Sequence, residues 1–306
     1  MEPNVILAVH GGAGNGLIRA DTSPELEQAY RDGLASALRA GEQILRSGGT
    51  SVTAVEVAVC ALEDDELFNA GKGSVFIEDG GHQLDASIMR GTDLAAGAVA
   101  GLRNVRNPIS AARLVMESTQ WVLLAGEGAE DLAIRNGLAT VTQDYFWTQR
   151  RWDQLMDAKN PDTPQQAEYS TVGAVAVDRN RDLAAATSTG GMNNKVLGRV
   201  GDSPIIGAGT YARNDTLAVS ATGLGEVFIR GAAASTISNL IEFGGRDLVT
   251  AVHEVVMERL PALGGTGGVV ALNRDGVFTA PHSTPGLLHG YLTAEGTIVT
   301  KVFTDE

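Results

Sequence analysis

The chain has 306 residues, 43% hydrophobic and 5% aromatic, with 38 glycines. This composition can fill a sizeable core, and it favours a tightly turned protein of strands and helices over a helical bundle. The formal net charge of −14 makes the surface repel phosphate backbones and anionic membranes, so we expect neither as a partner. No segment has the ~18 apolar residues of a membrane span, and the first residues lack a basic secretion-signal region, so we expect a cytoplasmic protein.

The first half of the chain predicts an alternation of strands and helices. A continuous apolar run at 5–9 predicts a buried strand, and the sequence HGGAG at 10–14 predicts a tight turn at its end. Ser23 before Pro24 and Thr50 before Ser51 are typical helix starts. Further elements are expected as strands at 82–89 and 95–102 and as helices at 108–116 and near 130–136.

The composition of the chain changes near residue 150. Residues 150–170 are polar, contain two prolines and show no sustained period, which predicts an exposed linker. A β-hairpin is predicted directly after it, with strands at 171–177 and 183–189. The remaining predicted elements are strands at 205–211, 217–221, 269–272, 277–280 and 297–303 and helices at 226–243 and 247–260. This order favours outer helices over two stacked sheets.

Several familiar catalytic motifs are incomplete. The HGGAG sequence is similar to an esterase oxyanion loop, but no serine has the glycine spacing of a nucleophile elbow. His253 and Glu254 begin like a zinc-protease helix, but Met257 stands where the second histidine must be. The sequence GKG at 71–73 lacks the hydroxyl residue of a phosphate-binding loop. These patterns argue against serine-hydrolase, metalloenzyme and nucleotide-hydrolase chemistry.

The junction at residue 170 points to a different nucleophile. A polar linker runs into a strand that begins with Thr171, and a threonine hydroxyl needs an adjacent base. The residue's own α-amine, with a pKa of roughly 7.7–8.0, can serve once the preceding peptide bond is cut. The position of Thr171 leaves an alternative open, in which it begins the strand only because threonine has a high β-propensity.

Six local sequences give further evidence about the function of Thr171. They are HGGAG from His10, LFNAG from Leu67, TVGAVA from Thr171, TSTGG from Thr187, GRVGDSP from Gly198 and ATGLGE from Ala221. In this order they closely resemble the plant-type (type III) asparaginases, or isoaspartyl peptidases, a family of N-terminal-nucleophile hydrolases. The resemblance runs from about residue 5 to 281. It implies an α+β fold, a four-layer αββα sandwich, formed by a single domain that is cut into an α-chain of residues 1–170 and a β-chain of residues 171–306.

The resemblance also implies catalytic roles. Thr171 matches the nucleophile, and Thr189 matches the residue that orients its hydroxyl. Thr222 and the backbone N–H of Gly223 match the oxyanion hole. Taken singly, Thr189 and Thr222 could instead be ordinary hydroxyls at strand ends.

Substrate recognition is implied in the same way. Arg199 matches the group that binds the α-carboxylate of an aspartyl substrate, and Asp202 matches the group that binds its α-ammonium. Gly225 would add a backbone contact, and Asn69 would reach into the site. Arg199 would supply the local positive charge that an anionic substrate needs on an acidic protein. Taken alone, Arg199 and Asp202 could be a surface turn with a weak ion pair.

The family resemblance implies no catalytic cofactor, but it does imply a structural sodium ion. The ion would be held by main-chain carbonyls of Leu62, Glu63, Asp65, Phe68, Ala70 and Lys72. It also implies small-molecule substrates, β-aspartyl dipeptides and L-asparagine, and a homodimer of processed αβ units. We expect the dipeptides to be preferred.

Two positions and the tail depart from the family pattern. Ser170 stands where a glycine is usual, which predicts slow self-cleavage because serine restricts the strained backbone. Leu224 replaces a small polar residue of several relatives, and it would narrow the pocket mouth or shift the preference among β-aspartyl substrates. The tail departs as well, so His282 and His289 receive no role. Glycosylasparaginase activity, or an uncleaved inactive binding protein, remain the alternatives.

Overall fold

The computed structural model describes residues 4–14, 16–160 and 170–306. These residues form an eight-stranded sheet in the order β12-β11-β1-β5-β6-β2-β3-β4 and a four-stranded sheet in the order β10-β9-β8-β7. Neighbouring strands are antiparallel except for the parallel pair β3 and β4. The strands are β1 (Val5–Gly14), β2 (Leu84–Arg90), β3 (Ala96–Leu102), β4 (Leu123–Ala125), β5 (Val172–Val177), β6 (Leu183–Thr189), β7 (Thr210–Arg213), β8 (Leu217–Gly223), β9 (Gly267–Leu272), β10 (Phe278–Thr279), β11 (Gly286–Thr293) and β12 (Ile298–Phe303).

The helices fall into two groups along the chain. Before residue 170 they are α1 (Pro24–Arg46), α2 (Ser51–Glu63), α3 (Pro108–Ser118), α4 (Glu127–Arg135) and α5 (Gln149–Lys159). After it they are α6 (Gly225–Arg230), α7 (Ala233–Glu242), α8 (Leu248–His253) and α9 (Leu260–Ala262), with a π-helical turn at Glu254–Arg259 joining the last two. No helix in the described ranges is long and apolar enough to cross a bilayer.

Three hydrophobic clusters separate four layers. The first packs α1, α2 and α3 on the large sheet through residues such as Leu34, Val59 and Ile109. The second lies between the sheets and contains Val175 and Val270. The third packs α7 and α8 on the small sheet. This stacking confirms the αββα sandwich, because each sheet buries one face on helices and the other on its partner sheet.

Local sequence signals place the main elements as predicted. Ser23 caps α1 by accepting from the Leu26 amide, and Thr50 caps α2 by accepting from the Thr53 amide. The predicted hairpin pairs β5 with β6 along its whole length, from Val172 opposite Ser188 to Val177 opposite Leu183. The open end of this hairpin therefore carries the residues that flank position 170.

The predicted turn at 10–14 is wrong. The strand β1 continues through Gly14, with a register shift between His10 and Gly12 against β11. Gly12 has a φ of +112°, so a bulge, and not a chain reversal, accommodates the glycine run. As a result, the glycines of β1 remain in the sheet beside β5.

The predicted linker is also wrong in its first half. Residues 149–159 form α5, which Thr148 caps by accepting from the Arg151 amide. Arg151 and Leu155 are buried, so contacts of a few inward side chains hold a helix that lacks a clear hydrophobic period. The rest of the predicted linker, residues 161–169, lies outside the described residues.

Other differences lie in the second half. The strand β11 was not predicted, although it pairs with both β1 and β12. The strand expected at 205–211 begins only at Thr210, because a turn precedes it in which the Ile205 amide donates to the Asp202 carbonyl. The long helix expected at 226–243 is broken where Ala232 has a φ of +42°.

Candidate active site

Thr171 lies at the open end of the β5–β6 hairpin, immediately before β5. Its Oγ1 donates to Oγ1 of Thr189, the last residue of β6, at 3.1 Å. Thr189 Oγ1 also accepts from the Gly191 amide at 2.8 Å and faces the Ser170 carbonyl oxygen at 3.5 Å. The hydroxyl of Thr189 therefore both orients the Thr171 hydroxyl and can donate to the carbonyl on the other side of the 170–171 bond.

Ser170 is held tightly against β1. Its Oγ donates to the Gly11 carbonyl at 3.2 Å. A Cβ added at Gly12 would lie 2.6 Å from Ser170 Oγ and 2.8 Å from Ser170 Cα, so only glycine allows this approach. The close packing fixes the main chain on the N-terminal side of Thr171.

A narrow cleft opens on the C-terminal side of the same bond. We call it the threonine cleft; its walls are Ser170, Thr171, Thr189, Gly191, Met192, Arg199, Gly201, Asp202, Ser203 and Gly223. The residues come from the hairpin end, the loop between β6 and β7, and the end of β8. The structure therefore brings together the predicted nucleophile, its orienting threonine, the two charged residues and the oxyanion glycine.

Asp202 is a buried carboxyl that faces the cleft with unused capacity. It is 4% exposed, and its Oδ2 accepts no hydrogen bond from the described residues. Burial raises its pKa to about 7, although Arg199 opposes the shift. A Cβ at Gly225 would lie 2.8 Å from Asp202 Oδ1, so this glycine lets α6 approach the carboxyl. A cationic ligand would satisfy the unpaired oxygen.

Arg199 is held by an acidic residue that sequence reasoning missed. Its Nε and Nη2 donate to Oε1 and Oε2 of Glu226, both at 3.0 Å. This fork occupies the Nε side of the guanidinium and leaves Nη1 for another acceptor. Glu226 directly follows Gly225 in the first turn of α6, and that adjacency to a recognised motif was the available sequence signal.

The oxyanion candidates lie on the small sheet. Thr222 is fully buried in β8, and its Oγ1 accepts from the Ala13 amide at 3.2 Å, leaving its own proton available. Gly223 has a φ of +144°, and a side chain there would contact Gly267 Cα and the Thr266 carbonyl at 2.5 Å. The pair thus joins the small sheet to β1 at the edge of the threonine cleft.

Two residues expected at the cleft point elsewhere. Asn69 is fully buried and does not line the cleft; its Nδ2 donates to the Gly191 carbonyl at 2.7 Å, and its Oδ1 accepts from the Val75 amide. The Leu224 side chain packs against the cluster of α7 and α8 and does not narrow the opening. Asn69 therefore contacts the loop that follows Thr189.

A buried chain of polar side chains lies behind Thr171, and sequence reasoning missed it too. His10 is fully buried with Nε2 at 2.8 Å from Ser220 Oγ, and the Thr171 main chain lies beside its ring. Burial lowers the His10 pKa to about 3, so the ring is neutral. The chain continues from Ser220 through the hydroxyls of Thr187, Thr210 and Ser87. His10 lies in the HGGAG motif, but its imidazole received no role in the sequence analysis.

The loop after α2 places main-chain carbonyl oxygens close to two glycines, and one of these oxygens, that of Glu63, accepts from the Lys72 amide. Gly71 and Gly73 have positive φ. A Cβ at Gly71 would clash with the carbonyl oxygen of Glu63, and a Cβ at Gly73 would clash with those of Glu66 and Phe68. Main-chain oxygens are among the ligands that hard cations bind. Within residues 4–14, 16–160 and 170–306, no group of three His, Cys, Asp or Glu side chains is placed to hold a metal.

Comparison with known proteins gives the family. The sequence profile of a family described as asparaginase matches residues 3–302. The chain belongs to this family. An isoaspartyl peptidase of Salmonella typhimurium is 46% identical over 308 residues, covering 97% of this chain and 98% of that protein. An isoaspartyl peptidase of Escherichia coli is 44% identical over 311 residues, covering 98% and 97%.

More distant members of the asparaginase family align as completely. A probable isoaspartyl peptidase/L-asparaginase 2 of Arabidopsis thaliana is 38% identical over 318 residues, covering 95% of this chain and 96% of the plant protein. These alignments confirm the resemblance inferred from the six local sequences. They also extend it over the tail, beyond the range covered by those motifs.

Proposed function

We propose that this chain is an isoaspartyl peptidase that also hydrolyses L-asparagine, with Thr171 as its nucleophile. The asparaginase family membership and the activities for which the relatives are named support the substrate class. The contact of Thr171 Oγ1 with Thr189 Oγ1, directly beside the Ser170 carbonyl, carries the assignment of the nucleophile. The charges of Arg199 and Asp202 in the same cleft support an aspartyl ligand.

Maturation begins with attack of Thr171 Oγ on the Ser170 carbonyl carbon. Thr189 donates a hydrogen bond to that carbonyl oxygen, where negative charge develops. The C–N bond breaks as the amide nitrogen takes up a proton, which leaves an ester that water then hydrolyses. The products are a carboxylate on Ser170 and a free α-amine on Thr171. The close packing of Ser170 on Gly12 favours the step by fixing the scissile peptide.

Catalysis reuses the same hydroxyl. The freed amine of Thr171 takes the Oγ proton while Oγ attacks the side-chain carbonyl carbon of the substrate. Thr222 and the Gly223 N–H stabilise the oxyanion. The amine then passes its proton to the leaving nitrogen as the C–N bond breaks. Water hydrolyses the resulting ester on Thr171 and releases aspartate.

Recognition depends on charge. The α-ammonium of the substrate binds Asp202, whose Oδ2 has no partner among the described residues, with a further contact from the Gly225 main chain. The α-carboxylate binds the Nη side of Arg199, because Glu226 holds the Nε side. Asn69 acts indirectly, by fixing the Gly191 carbonyl beside Thr189.

Two further proposals follow from the asparaginase family. The loop from Leu62 to Lys72 would hold a sodium ion, a role supported by the carbonyls of Glu63 and Phe68 around Gly71 and Gly73. Its role would be structural, since an ion bound there orders the loop that carries Asn69. The processed αβ units would pair as a dimer, which sedimentation of the mature protein tests.

Intact-mass analysis of the purified protein tests the central proposal. We expect two fragments after incubation, the second beginning with the sequence TVGAV at Thr171. A single full-length species after prolonged incubation would instead favour an inactive binding protein. Turnover of glycosyl-asparagine with no turnover of β-aspartyl-leucine would replace the isoaspartyl assignment with glycosylasparaginase activity.

A further inference from the structure

A second pocket, larger than the threonine cleft, also has Ser170 on its wall. We call it the leucine pocket because Leu17, Leu26, Leu67 and Leu288 form its apolar walls. Its remaining described walls are Gly12, Ala13, Gly14, Gly16, Asp21, Thr22, Tyr30, Arg150, Arg151 and Ser170. The proposed reaction gives this pocket no role so far.

Ser170 is the only described residue that lines both the leucine pocket and the threonine cleft. Before cleavage its peptide bond to Thr171 is part of the partition between them. Cutting that bond leaves two chain ends in place of a continuous wall. The new α-amine of Thr171 and the new carboxylate of Ser170 then both lie at the boundary between the leucine pocket and the threonine cleft.

The chemistry of the reaction directs the leaving group to this position. The Thr171 amine must donate a proton to the leaving nitrogen, so the two nitrogens lie within hydrogen-bond reach. The aspartyl half of the substrate is anchored by Arg199 and Asp202 within the threonine cleft. The leaving amino acid therefore extends from the amine in the opposite direction, past Ser170.

The leucine pocket has groups that suit one class of leaving amino acid. Four leucines offer apolar contact to a side chain. Arg150 Nη2 donates to the Tyr30 hydroxyl at 2.9 Å, which places a guanidinium on the wall for a carboxylate. Arg151 also lines the pocket, but its Nε donates to the Gly73 carbonyl at 2.6 Å, so we do not assign it to the carboxylate. Asp21 and the carboxylate that maturation leaves on Ser170 are acidic groups of the wall, and they disfavour an acidic side chain.

We propose that the leucine pocket is the leaving-group subsite, selecting β-aspartyl dipeptides whose second residue has an apolar side chain and a free carboxylate. This inference rests on the proposed role of Thr171. L-Asparagine provides an internal control, because its leaving group is ammonia, which is too small to contact the walls of the leucine pocket. A role in the subsite therefore changes the ratio of the two activities.

The test compares wild type with Arg150→Gln, and with Arg135→Gln as a matched control at the exposed end of α4. We expect the ratio of kcat/KM for β-aspartyl-leucine to that for L-asparagine to fall about tenfold in R150Q and to stay at the wild-type value in R135Q. In wild type, kcat/KM for β-aspartyl-leucinamide should be about tenfold lower than kcat/KM for β-aspartyl-leucine, because the amide lacks the carboxylate. β-Aspartyl-glutamate should be at least about tenfold poorer than β-aspartyl-leucine.

Each outcome separates the subsite from the catalytic proposal. An active wild type with an unchanged ratio in R150Q and no preference among the dipeptides would overturn the subsite and leave Thr171 as nucleophile. Equal loss on both substrates in R150Q would also overturn it, since that indicates a general structural effect. A wild type that hydrolyses neither substrate would overturn the proposed function, and the subsite with it.

Discussion

The threonine cleft and the leucine pocket share Ser170 as a wall, but the cleft has a buried carboxyl and a guanidinium on its walls, whereas the pocket has four leucines. In the cleft, Asp202 is buried with an oxygen that has no partner among the described residues, and Arg199 is held by a carboxylate. In the pocket, the four leucines lie beside polar walls that include Asp21 and Arg150. The difference fits a substrate with one constant zwitterionic half and one variable half, because paired charges discriminate strongly whereas apolar contact tolerates variation.

The largest effect is expected where the two regions meet. Thr171→Ala removes the hydroxyl that we propose cuts the chain and forms the acyl-enzyme, so the chain should stay uncut and lose at least about 10⁴-fold in activity on both substrates. Intact mass and a coupled aspartate assay measure the two losses. Thr216→Ala, at a buried threonine bonded to Ser238, is the control and should be cut normally. Normal cleavage of T171A would refute the mechanism.

A change confined to the threonine cleft should affect both substrates alike. In Asp202→Asn the α-ammonium loses its counter-charge, so kcat/KM should fall by about 10²–10³ for β-aspartyl-leucine and for L-asparagine. The substrate control is N-succinyl-leucine, which lacks the ammonium and should be hydrolysed equally by wild type and D202N. A loss on N-succinyl-leucine as well would show that Asp202 acts through the fold and not through the ammonium.

The pH dependence of KM should distinguish the cleft from the pocket. Because burial raises the pKa of Asp202 to about 7, the carboxyl is increasingly neutral below that pH and binds an ammonium poorly. KM for L-asparagine should therefore rise as pH falls below about 7, approaching about tenfold per unit, and level off above it. Initial rates between pH 5.5 and 8.5 measure this. A profile that is the same in D202N would assign the titration to another group.

The smallest effect is expected at the support of Arg199. Glu226→Gln keeps the shape of the side chain but loses its charge, so the guanidinium is held less firmly and KM should rise about fivefold with kcat within about twofold. Glu254→Gln, which weakens an ion pair with Arg259 in the outer helical layer, provides the matched control. An unchanged KM in E226Q would show that Arg199 is positioned without Glu226.

Much of the fold followed from local sequence. The caps at Ser23 and Thr50 and the β5–β6 hairpin depend on neighbours within a few residues. The strand β11 escaped prediction because its pairing with β1 joins residues almost the whole chain apart. The helix α5 escaped because buried contacts, and not its own periodicity, stabilise it.

The site divides in the same way. The sequence by itself determined the types and order of the proposed site residues, since Thr171, Arg199 and Asp202 stand in short motifs that can be recognised without coordinates. Only the tertiary structure decided what surrounds them. Three contacts join segments that are distant along the chain. They are the paired hydrogen bonds of Arg199 with Glu226, the position of the His10 imidazole behind Thr171 and the approach of Gly12 to Ser170. Their chemistry depends on burial and distance, which are set only when the two sheets pack together.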